Sequence, residues 1–476
     1  MVERLTPDIC VIGAGSGGLS VAAAAARFGV PVVLIERGRM GGDCLNYGCV
    51  PSKALLAAAK RAHALTQIER FGVKVQRAKI EFLDVHAHVM DVIRAIAPND
   101  SKERLTGLGV HVLAGVATFR DRRTVTVGKE VEIRARRFVL AAGSMPAIPP
   151  IPGLRETPHL TNETIFDLTH CPRHLIVIGA GPIGLELAQA HRRLGAEVTV
   201  LEAAAPLTKD DPECAAVVLD QLARDGVVLR ANTNILRAER GRGKVRVIVD
   251  AAGNEEVIEG SHLLVAAGRR ANVEGLNLEA AGIAYDQTGI AVNKRLRTTN
   301  RRVYAIGDAA KGAPQFTHVA GHHAGLVIRN ALFRLPVNAT KALVPWVTYT
   351  DPELAHVGLR EEEARARYGT IRVLRWPYHE NDRAQAEREI EGHIKVVTTK
   401  RGRIVGVTIV GAQAGELITT WTLAINQRLK VSAWLSLVVP YPTLAEIGKR
   451  SAISYYAPGL TSPLIRRIIR FLRRFG

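Results

Sequence analysis

Cysteines and long apolar runs are scarce in this sequence of 476 residues, and each shortage excludes a class of protein. The five cysteines form an odd and sparse set, unlike the disulfide framework of a secreted protein. No apolar run approaches the roughly 20 residues that a membrane-spanning helix needs, and the first residues do not resemble a signal peptide. We therefore expect a soluble, cytoplasmic protein.

Acidic residues are also in the minority. The 45 Asp and Glu residues stand against 64 Lys and Arg residues, which gives a formal net charge of +19. Such a balance favours nucleotides, nucleic acid or acidic membrane surfaces as partners, although a generally basic composition would account for the bulk of it equally well. Because no nucleic-acid recognition motif is present, we expect no nucleic-acid partner.

Glycine, by contrast, is abundant, and a first group follows an apolar run near the start of the sequence. Gly13, Gly15 and Gly18 form the pattern G-x-G-x-x-G between a predicted strand and an alanine-rich helix. In this pattern the first glycine permits a tight turn, the second lets backbone approach a pyrophosphate, and the third lets the helix pack close to the strand. Glu36, at the end of the next strand, is placed to bind an adenosine ribose.

A second group repeats this arrangement at Gly179, Gly181 and Gly184, with Glu202 in the place of the acid. In both copies the acid lies 23 residues after the first glycine. Matched spacing in two full copies predicts two dinucleotide sites rather than two chance turns. A carboxylate at position 202 repels a 2′-phosphate, so the second site should prefer NADH, while Arg224 and other arginines keep NADPH as the alternative.

The cysteines Cys44 and Cys49 are separated by four residues, a spacing compatible with a disulfide at the start of a helix. Pro51 suits the first turn of that helix. A helix N-terminus lowers the pKa of a thiol and favours the thiolate, which attacks disulfides and binds soft metals. A passive disulfide or a metal knuckle is the alternative, but a knuckle wants further Cys or His ligands at short spacing, and we predict no metal site.

The segment from Gly41 to Lys53 resembles the redox motif of the class I pyridine nucleotide–disulfide oxidoreductases, the group of dihydrolipoamide dehydrogenase, glutathione reductase and mercuric reductase. The resemblance covers essentially the whole chain. Besides the two glycine loops, the matching motifs are Ala141-Ala142-Gly143, Ala266-Ala267-Gly268-Arg269, Tyr304-Ala305-Ile306-Gly307-Asp308, Thr350-Asp351-Pro352-Glu353 and Tyr441-Pro442-Thr443-Leu444-Ala445-Glu446.

This resemblance implies a role for each matching residue. The first glycine loop would bind FAD, with Asp308 on its ribityl chain, and the second would bind NAD(P)H. Cys49 would be the thiolate nearer the flavin, and Cys44 the interchange thiol that meets a disulfide or dithiol substrate. Lys53 would lie near the flavin and pair with Glu186, and the enzyme would be a homodimer whose active site needs both subunits.

The fold class implied is α/β, with two Rossmann-like dinucleotide-binding domains and an α+β C-terminal dimerisation domain. The expected segments are 1–150 and 271–340 for the FAD-binding domain, 151–270 for the NAD(P)-binding domain, 341–460 for the dimerisation domain and 461–476 for a basic helix.

One position departs from the lipoamide and glutathione enzymes, whose final motif begins with a proton-exchanging histidine. Tyr441 stands there, while Glu446 is kept. Tyrosine is a poor base at neutral pH, so efficient turnover of lipoamide or glutathione is in doubt. Mercuric reductases resemble this chain in their tyrosine, but they also carry a C-terminal cysteine pair, and no cysteine follows Cys214 here. Mercuric reductase and a flavin redox sensor or membrane-docked protein without turnover remain the alternatives.

The segment 462–476 predicts a short amphipathic helix capped by Ser462, with Pro463 at its first position. Its apolar side chains fill an arc of roughly 160°, and five arginines fill the opposite side. Such a helix suits an anionic membrane surface, which would place the protein peripherally on the inner membrane face. Docking on its own domain and an acidic protein partner are the alternatives.

Overall fold

The computed structural model describes residues 2–75, 79–251, 253–460 and 462–475. Two compact units divide the chain. The first unit contains Met1–Gly179, Arg193–Glu197 and Thr233–Ala342, and the second contains Ala180–Arg192, Val198–Asn232 and Leu343–Gly476. The two units are defined by how compactly their residues pack and not by the sequence motifs. The domain boundaries expected from the sequence therefore stay predictions.

Strands and helices alternate through much of the chain. The strands are β1 (Glu3–Leu5), β2 (Ile9–Ile12), β3 (Val32–Glu36), β4 (Val110–Ala114), β5 (Ala117–Asp121), β6 (Thr124–Val127), β7 (Val131–Ile133), β8 (Arg137–Leu140), β9 (Ser144–Pro146), β10 (His174–Ile178), β11 (Glu197–Leu201), β12 (Val228–Arg230), β13 (Ile235–Gly241), β14 (Lys244–Ala251), β15 (Asn254–Gly260), β16 (His262–Val265), β17 (Arg269–Ala271), β18 (Tyr285–Asp286), β19 (Gly289–Ile290), β20 (Val303–Ala305), β21 (Trp346–Thr348), β22 (Glu353–Gly358), β23 (Ile371–Pro377), β24 (His393–Thr399) and β25 (Ile404–Gly411). The helices are α1 (Ser16–Arg27), α2 (Gly42–Asn46), α3 (Cys49–Gln67), α4 (Phe82–Ile96), α5 (Lys102–Gly107), α6 (Pro182–Arg193), α7 (Pro212–Asp225), α8 (Thr317–Ala331), α9 (Glu361–Tyr368), α10 (Asp382–Glu387), α11 (Ala414–Asn426), α12 (Ser432–Ser436), α13 (Glu446–Ser454), α14 (Ala457–Leu460) and α15 (Pro463–Leu472).

A five-stranded parallel sheet organises the first unit, in the order β20-β8-β2-β3-β4. Side chains such as Val11 and Leu34 point from one face into a core shared with α1 and α8. Cys10 and Phe138 lie on the other face, against the smaller sheet β1-β7-β6-β5. Because the strands are covered on both faces, they read as continuous apolar runs, as parallel strands usually do.

An antiparallel five-stranded sheet, in the order β21-β22-β25-β24-β23, organises the last part of the second unit. Its core includes Ile409 and Val396 from the sheet and side chains from α11 and α13. Trp421 and Trp434 stack within this core with their ring centroids 4.0 Å apart. The same unit holds the parallel pair β11 and β12.

The α/β fold class predicted from the sequence is confirmed, with parallel strands around the glycine loops and a mixed helix and antiparallel-sheet part near the end. The basic helix is α15, and the Ser462 hydroxyl accepts a hydrogen bond from the Ile465 N–H at 3.3 Å. Thr461 and Gly476, included in that prediction, lie outside the described residues. Over the described ranges, every helix is too short or too polar to cross a bilayer.

Candidate functional site

The first glycine loop joins β2 to α1 through a turn that a side chain would block. Gly13 has φ +103°, and a Cβ there would lie 2.3 Å from the Ala141 carbonyl oxygen. A Cβ on Gly18 would lie 1.8 Å from the Gly13 carbonyl oxygen. Glu36 accepts hydrogen bonds from the backbone N–H groups of Ala14, at 2.5 Å, and Gly38, at 2.7 Å. The loop therefore has the close backbone packing that dinucleotide phosphates require.

Three more motif residues follow the carboxyl ends of neighbouring strands in this sheet. Gly143 comes shortly after β8, and Gly307 and Asp308 come shortly after β20. Since parallel strands bring their carboxyl ends to one edge, these residues share an edge with the first glycine loop, where open α/β sheets bind their ligands. Burial raises the pKa of Asp308, and the Ser144 hydroxyl donates to its carboxylate at 2.6 Å.

The second glycine loop repeats the local chemistry of the first. Gly179 has φ +108°, and a Cβ there would lie 2.5 Å from the Ala266 carbonyl oxygen. Within the second unit, Glu202 accepts hydrogen bonds from the N–H groups of Ala180, at 2.7 Å, and Ala204, at 3.0 Å. Glu36 and Glu202, the acids predicted to contact ribose, therefore each accept hydrogen bonds from two backbone N–H groups, one of them in the adjoining glycine loop.

The rest of this second motif opens α6, with Gly181 just before the helix and Gly184 buried within its first turn. Gly268, from a neighbouring motif in the first unit, has φ +113° and accepts a hydrogen bond from the Ala147 N–H at 3.0 Å.

The two cysteines predicted to be redox-active come together in the first unit as a dithiol. Cys44 lies within α2, and Cys49 is the first residue of α3. A hydrogen bond from Cys44 to Cys49 lowers the pKa of Cys49 to about 6, and it raises the pKa of Cys44 well above the usual thiol range. Burial opposes the shift at Cys49, whereas the Thr317 hydroxyl, 3.3 Å from its sulfur, and the Lys53 charge favour it. One sulfur is therefore a thiolate at neutral pH while the other keeps its proton.

A polar chain that the sequence analysis missed connects this pair to Asp308. The Arg269 guanidinium lies 3.1 Å from the Asp43 carboxylate and donates to the Ser144 hydroxyl at 2.8 Å. Asn162 also donates to Asp43, at 3.0 Å, and so holds the residue before Cys44. Arg269 belongs to a motif quoted from the sequence, but its partners are more than a hundred residues away, and spacing alone does not reveal them.

The remaining predicted site residues lie in the second unit. The Tyr441 hydroxyl donates to Asp382 at 2.9 Å, which raises the pKa of Tyr441, and its side chain is 70% exposed. Glu446 is the first residue of α13. The buried Glu186 accepts a hydrogen bond from the Tyr349 N–H at 2.9 Å. The pairing of Glu186 with Lys53 and the role of Tyr441 beside Cys44 stay predictions.

Comparison with known proteins agrees with these features. Residues 7–324 match the family described as pyridine nucleotide-disulphide oxidoreductase, and residues 344–452 match its dimerisation domain, which indicates a homodimer. A mercuric reductase of Lysinibacillus sphaericus is 34% identical over 451 residues, which cover 94% of this chain and 82% of that protein. A dihydrolipoyl dehydrogenase of Thermus scotoductus is 38% identical over 459 residues, which cover 93% of this chain and 95% of that protein.

A solved structure also has this fold. The HOCl-induced flavoprotein disulfide reductase RclA from Escherichia coli superposes with a TM-score of 0.85 at 26% identity, covering 94% of this chain and 99% of that one. The family that the redox motif indicated is therefore confirmed: this chain belongs to the pyridine nucleotide–disulphide oxidoreductases, the FAD- and NAD(P)H-dependent flavoproteins that include the mercuric reductases and dihydrolipoyl dehydrogenases.

Proposed function

We propose that this protein uses NADH to reduce a disulfide substrate, or oxidises the corresponding dithiol in reverse, through Cys44 and Cys49. The observation that carries the proposal is the opposite displacement of the two thiol pKa values, with Cys49 at about 6 and Cys44 raised. The two cysteines then have separate roles, because the Cys49 thiolate holds negative charge while the Cys44 thiol exchanges with substrate.

The residues of the first unit fit an FAD molecule. The turn closed by Gly13 and Gly18 leaves room for a pyrophosphate and excludes side chains from it, while Asp308 offers a carboxylate at the same sheet edge. When bound, FAD supplies the passage of two electrons between a nicotinamide and the cysteine pair. In our proposal Glu36 contacts the FAD ribose, and the loop of Gly179, with Glu202 beyond it, binds NADH.

Thiol–disulfide exchange at the pair requires only the substrate disulfide and one proton from solvent. In the dithiol form, Cys44 loses its proton and attacks one sulfur of the substrate disulfide, forming a mixed disulfide and releasing one substrate thiol, which takes up a proton. The Cys49 thiolate then attacks the Cys44 sulfur and displaces the second half of the substrate as a thiolate, which takes up a proton from solvent. The products are two substrate thiols and a Cys44–Cys49 disulfide, which two electrons and one proton, together equivalent to the hydride of NADH, return to a Cys44 thiol and a Cys49 thiolate.

The environment of Cys49 favours the thiolate whenever the pair is in its dithiol form. Its sulfur lies at the N-terminus of the 19-residue helix α3, where the helix dipole favours negative charge. The Thr317 hydroxyl donates to it, and Lys53 follows one turn later in the same helix. The Asp43 carboxylate acts against these contributions and raises the pKa of Cys49. Arg269 and Asn162 both bind Asp43, so they position the residue that adjoins Cys44.

Proton exchange at Cys44 is the step that this chain performs least well. In our proposal Tyr441, with Glu446 behind it, stands where related enzymes place a histidine. Its bond to Asp382 raises the pKa of Tyr441 further from neutrality. Deprotonation of Cys44 therefore limits turnover with ordinary disulfides.

Reduction of Hg(II) is a second candidate, because the mercuric reductase of Lysinibacillus sphaericus is 34% identical to this chain over most of its length. Mercuric reductases also have a tyrosine where Tyr441 replaces the histidine of the lipoamide and glutathione enzymes. A soft cation binds thiolates without needing a proton acceptor once they are ionised. Hg(II) would accept two electrons from NADH and leave as Hg(0), with NAD⁺ and one proton as the other products.

The substrate class can be tested by measuring NADH oxidation by the FAD-loaded dimer with lipoamide, glutathione disulfide, Hg(II) or ferricyanide. We expect Cys44→Ser to lower kcat/KM for disulfides by about a thousandfold or more, because the attacking sulfur is lost, while ferricyanide reduction persists. The matched control Cys171→Ser, at another half-buried cysteine, should behave as the wild type does. Wild-type protein that reduces ferricyanide but none of the thiol-dependent acceptors would contradict the proposal and favour a redox sensor.

The same assay tests the tyrosine. Tyr441→His should raise disulfide turnover by about tenfold or more, because it restores a base near neutral pH, whereas Tyr441→Phe should not. Equal rates for both variants would exclude a proton-exchange role at this position.

Thr317→Val should raise the pKa of Cys49 by about one unit, since a hydrogen bond to an ionised sulfur is worth about 1.4 kcal/mol or more. The measurement is the pH dependence of iodoacetamide labelling at Cys49 in the reduced protein, with the labelled peptide quantified by mass spectrometry. Labelling should fall as pH drops through about 6 in the wild type, and at higher pH in the variant. Thr66→Val, at the far end of α3, is the control; a midpoint unchanged by Thr317→Val would refute the contact.

Glu202→Gln should lower the preference for NADH over NADPH about tenfold, as the ratio of kcat/KM values, because it removes the charge that repels a 2′-phosphate. Glu197→Gln changes an exposed acid at the start of β11, the strand that Glu202 follows, and should leave the ratio unchanged. A wild-type enzyme that prefers NADPH would show that the arginines around this loop outweigh Glu202.

A further inference from the structure

Helix α15 and the residues that follow it, Pro463–Phe475, form a segment that we call the arginine helix. It begins sharply, because Ser462 caps it and Pro463 occupies its first turn. It lies beyond residue 452, where the match to the dimerisation domain ends. The redox pair and both glycine loops lie outside it, so the proposed reaction assigns it no role.

Most of the apolar side of the arginine helix is open to solvent, and Ile465 is its half-buried member. Phe471 and Phe475 pack edge-to-face with their ring centroids 5.1 Å apart, so they form one projecting surface. The exposed fractions are Leu464 67%, Ile468 46%, Ile469 52%, Phe471 55%, Leu472 57% and Phe475 74%. Docking of this side onto the chain's own second unit, one of the alternatives raised by the sequence, would have buried these side chains.

The opposite side of the arginine helix is entirely cationic. Its charged residues are Arg466, Arg467, Arg470, Arg473 and Arg474, and no acid lies among them. No ion pair joins these guanidinium groups to a carboxylate in the part of the chain that the structure describes. A second copy of the helix would bring five positive charges against five others, so self-association through this side is disfavoured.

We propose that the arginine helix docks the protein on the surface of an anionic phospholipid bilayer. At about 15 Å the ten residues of α15 are too short to cross a bilayer and long enough to lie along it. An apolar arc of roughly 160° opposite a continuous cationic arc matches the boundary between acyl chains and headgroups. Phosphate headgroups supply the anions that the five arginines lack within the chain.

Both sides of the helix contribute to this binding. Each arginine near an anionic surface strengthens partitioning by about fivefold, so that removing three should weaken it about a hundredfold. The apolar side chains also contribute free energy of binding, and they do so on neutral lipid as well. This apolar contribution alone is too weak to hold a folded protein on the bilayer.

The proposal is tested by co-sedimentation of the FAD-loaded full chain with vesicles. We expect binding to vesicles of equimolar phosphatidylcholine and phosphatidylglycerol, weakened by added salt, and none to phosphatidylcholine alone. The triple variant Arg466→Gln, Arg470→Gln, Arg473→Gln should bind the anionic vesicles about a hundredfold more weakly. The double variant Ile468→Ser, Phe471→Ser should also lose binding, since it keeps the charge and removes the apolar surface.

A matched control removes three exposed arginines elsewhere, as Arg295→Gln, Arg301→Gln, Arg401→Gln, and should bind as the wild type does. Ferricyanide reduction by every variant confirms that the flavoprotein is folded. Equal sedimentation of the wild type and both helix variants would overturn the proposal, as would wild-type protein that stays in solution with anionic vesicles. A helix variant that changes the oligomeric state in solution would assign the helix to a partner subunit instead.

Discussion

The mutual influence of Cys44 and Cys49, which shifts their two pKa values in opposite directions, is the interaction on which the proposed chemistry of this protein depends. It makes the two cysteines unlike, because Cys44 keeps its proton and Cys49 becomes a thiolate at neutral pH. The N-terminus of α3, the Thr317 hydroxyl and the Lys53 charge all favour the same assignment. Without this asymmetry the pair would be two ordinary thiols, one half-buried and one exposed, in a sterically suitable turn.

The parallel sheet of the first unit gathers the groups that we propose bind the cofactor. Strands β2, β8 and β20 are neighbours, and their carboxyl ends bring the first glycine loop, Gly143 and Asp308 to one edge. The chain of contacts from Asp308 through Ser144 and Arg269 to Asp43 then reaches the residue before Cys44. These contacts hold the Cys44–Cys49 turn in one orientation relative to the sheet edge.

Sequence reasoning succeeded where the signal is local. The glycine patterns, the acids 23 residues later, the Cys44–Cys49 turn and the Ser462-capped helix each depend on a short stretch of chain, and the structure has each of these elements. It failed where partners are distant, since Thr317 lies 268 residues from Cys49 and nothing in its own neighbourhood marks it. At position 441 the sequence shows a tyrosine where the lipoamide and glutathione enzymes have a histidine. The type of side chain alone does not reveal which proton it transfers.

The most direct test of the central claim is the absorption spectrum of the FAD-loaded protein after anaerobic reduction with one equivalent of NADH. A Cys49 thiolate held against the flavin should give a long-wavelength absorption band in the reduced wild type. Cys44→Ser should show this band before any NADH is added, because it has no disulfide to reduce, and Cys49→Ser should lack it. The band should fade as pH is lowered through about 6, because the thiolate then takes up a proton. A colourless purified protein, or a band that persists in Cys49→Ser, would contradict the account.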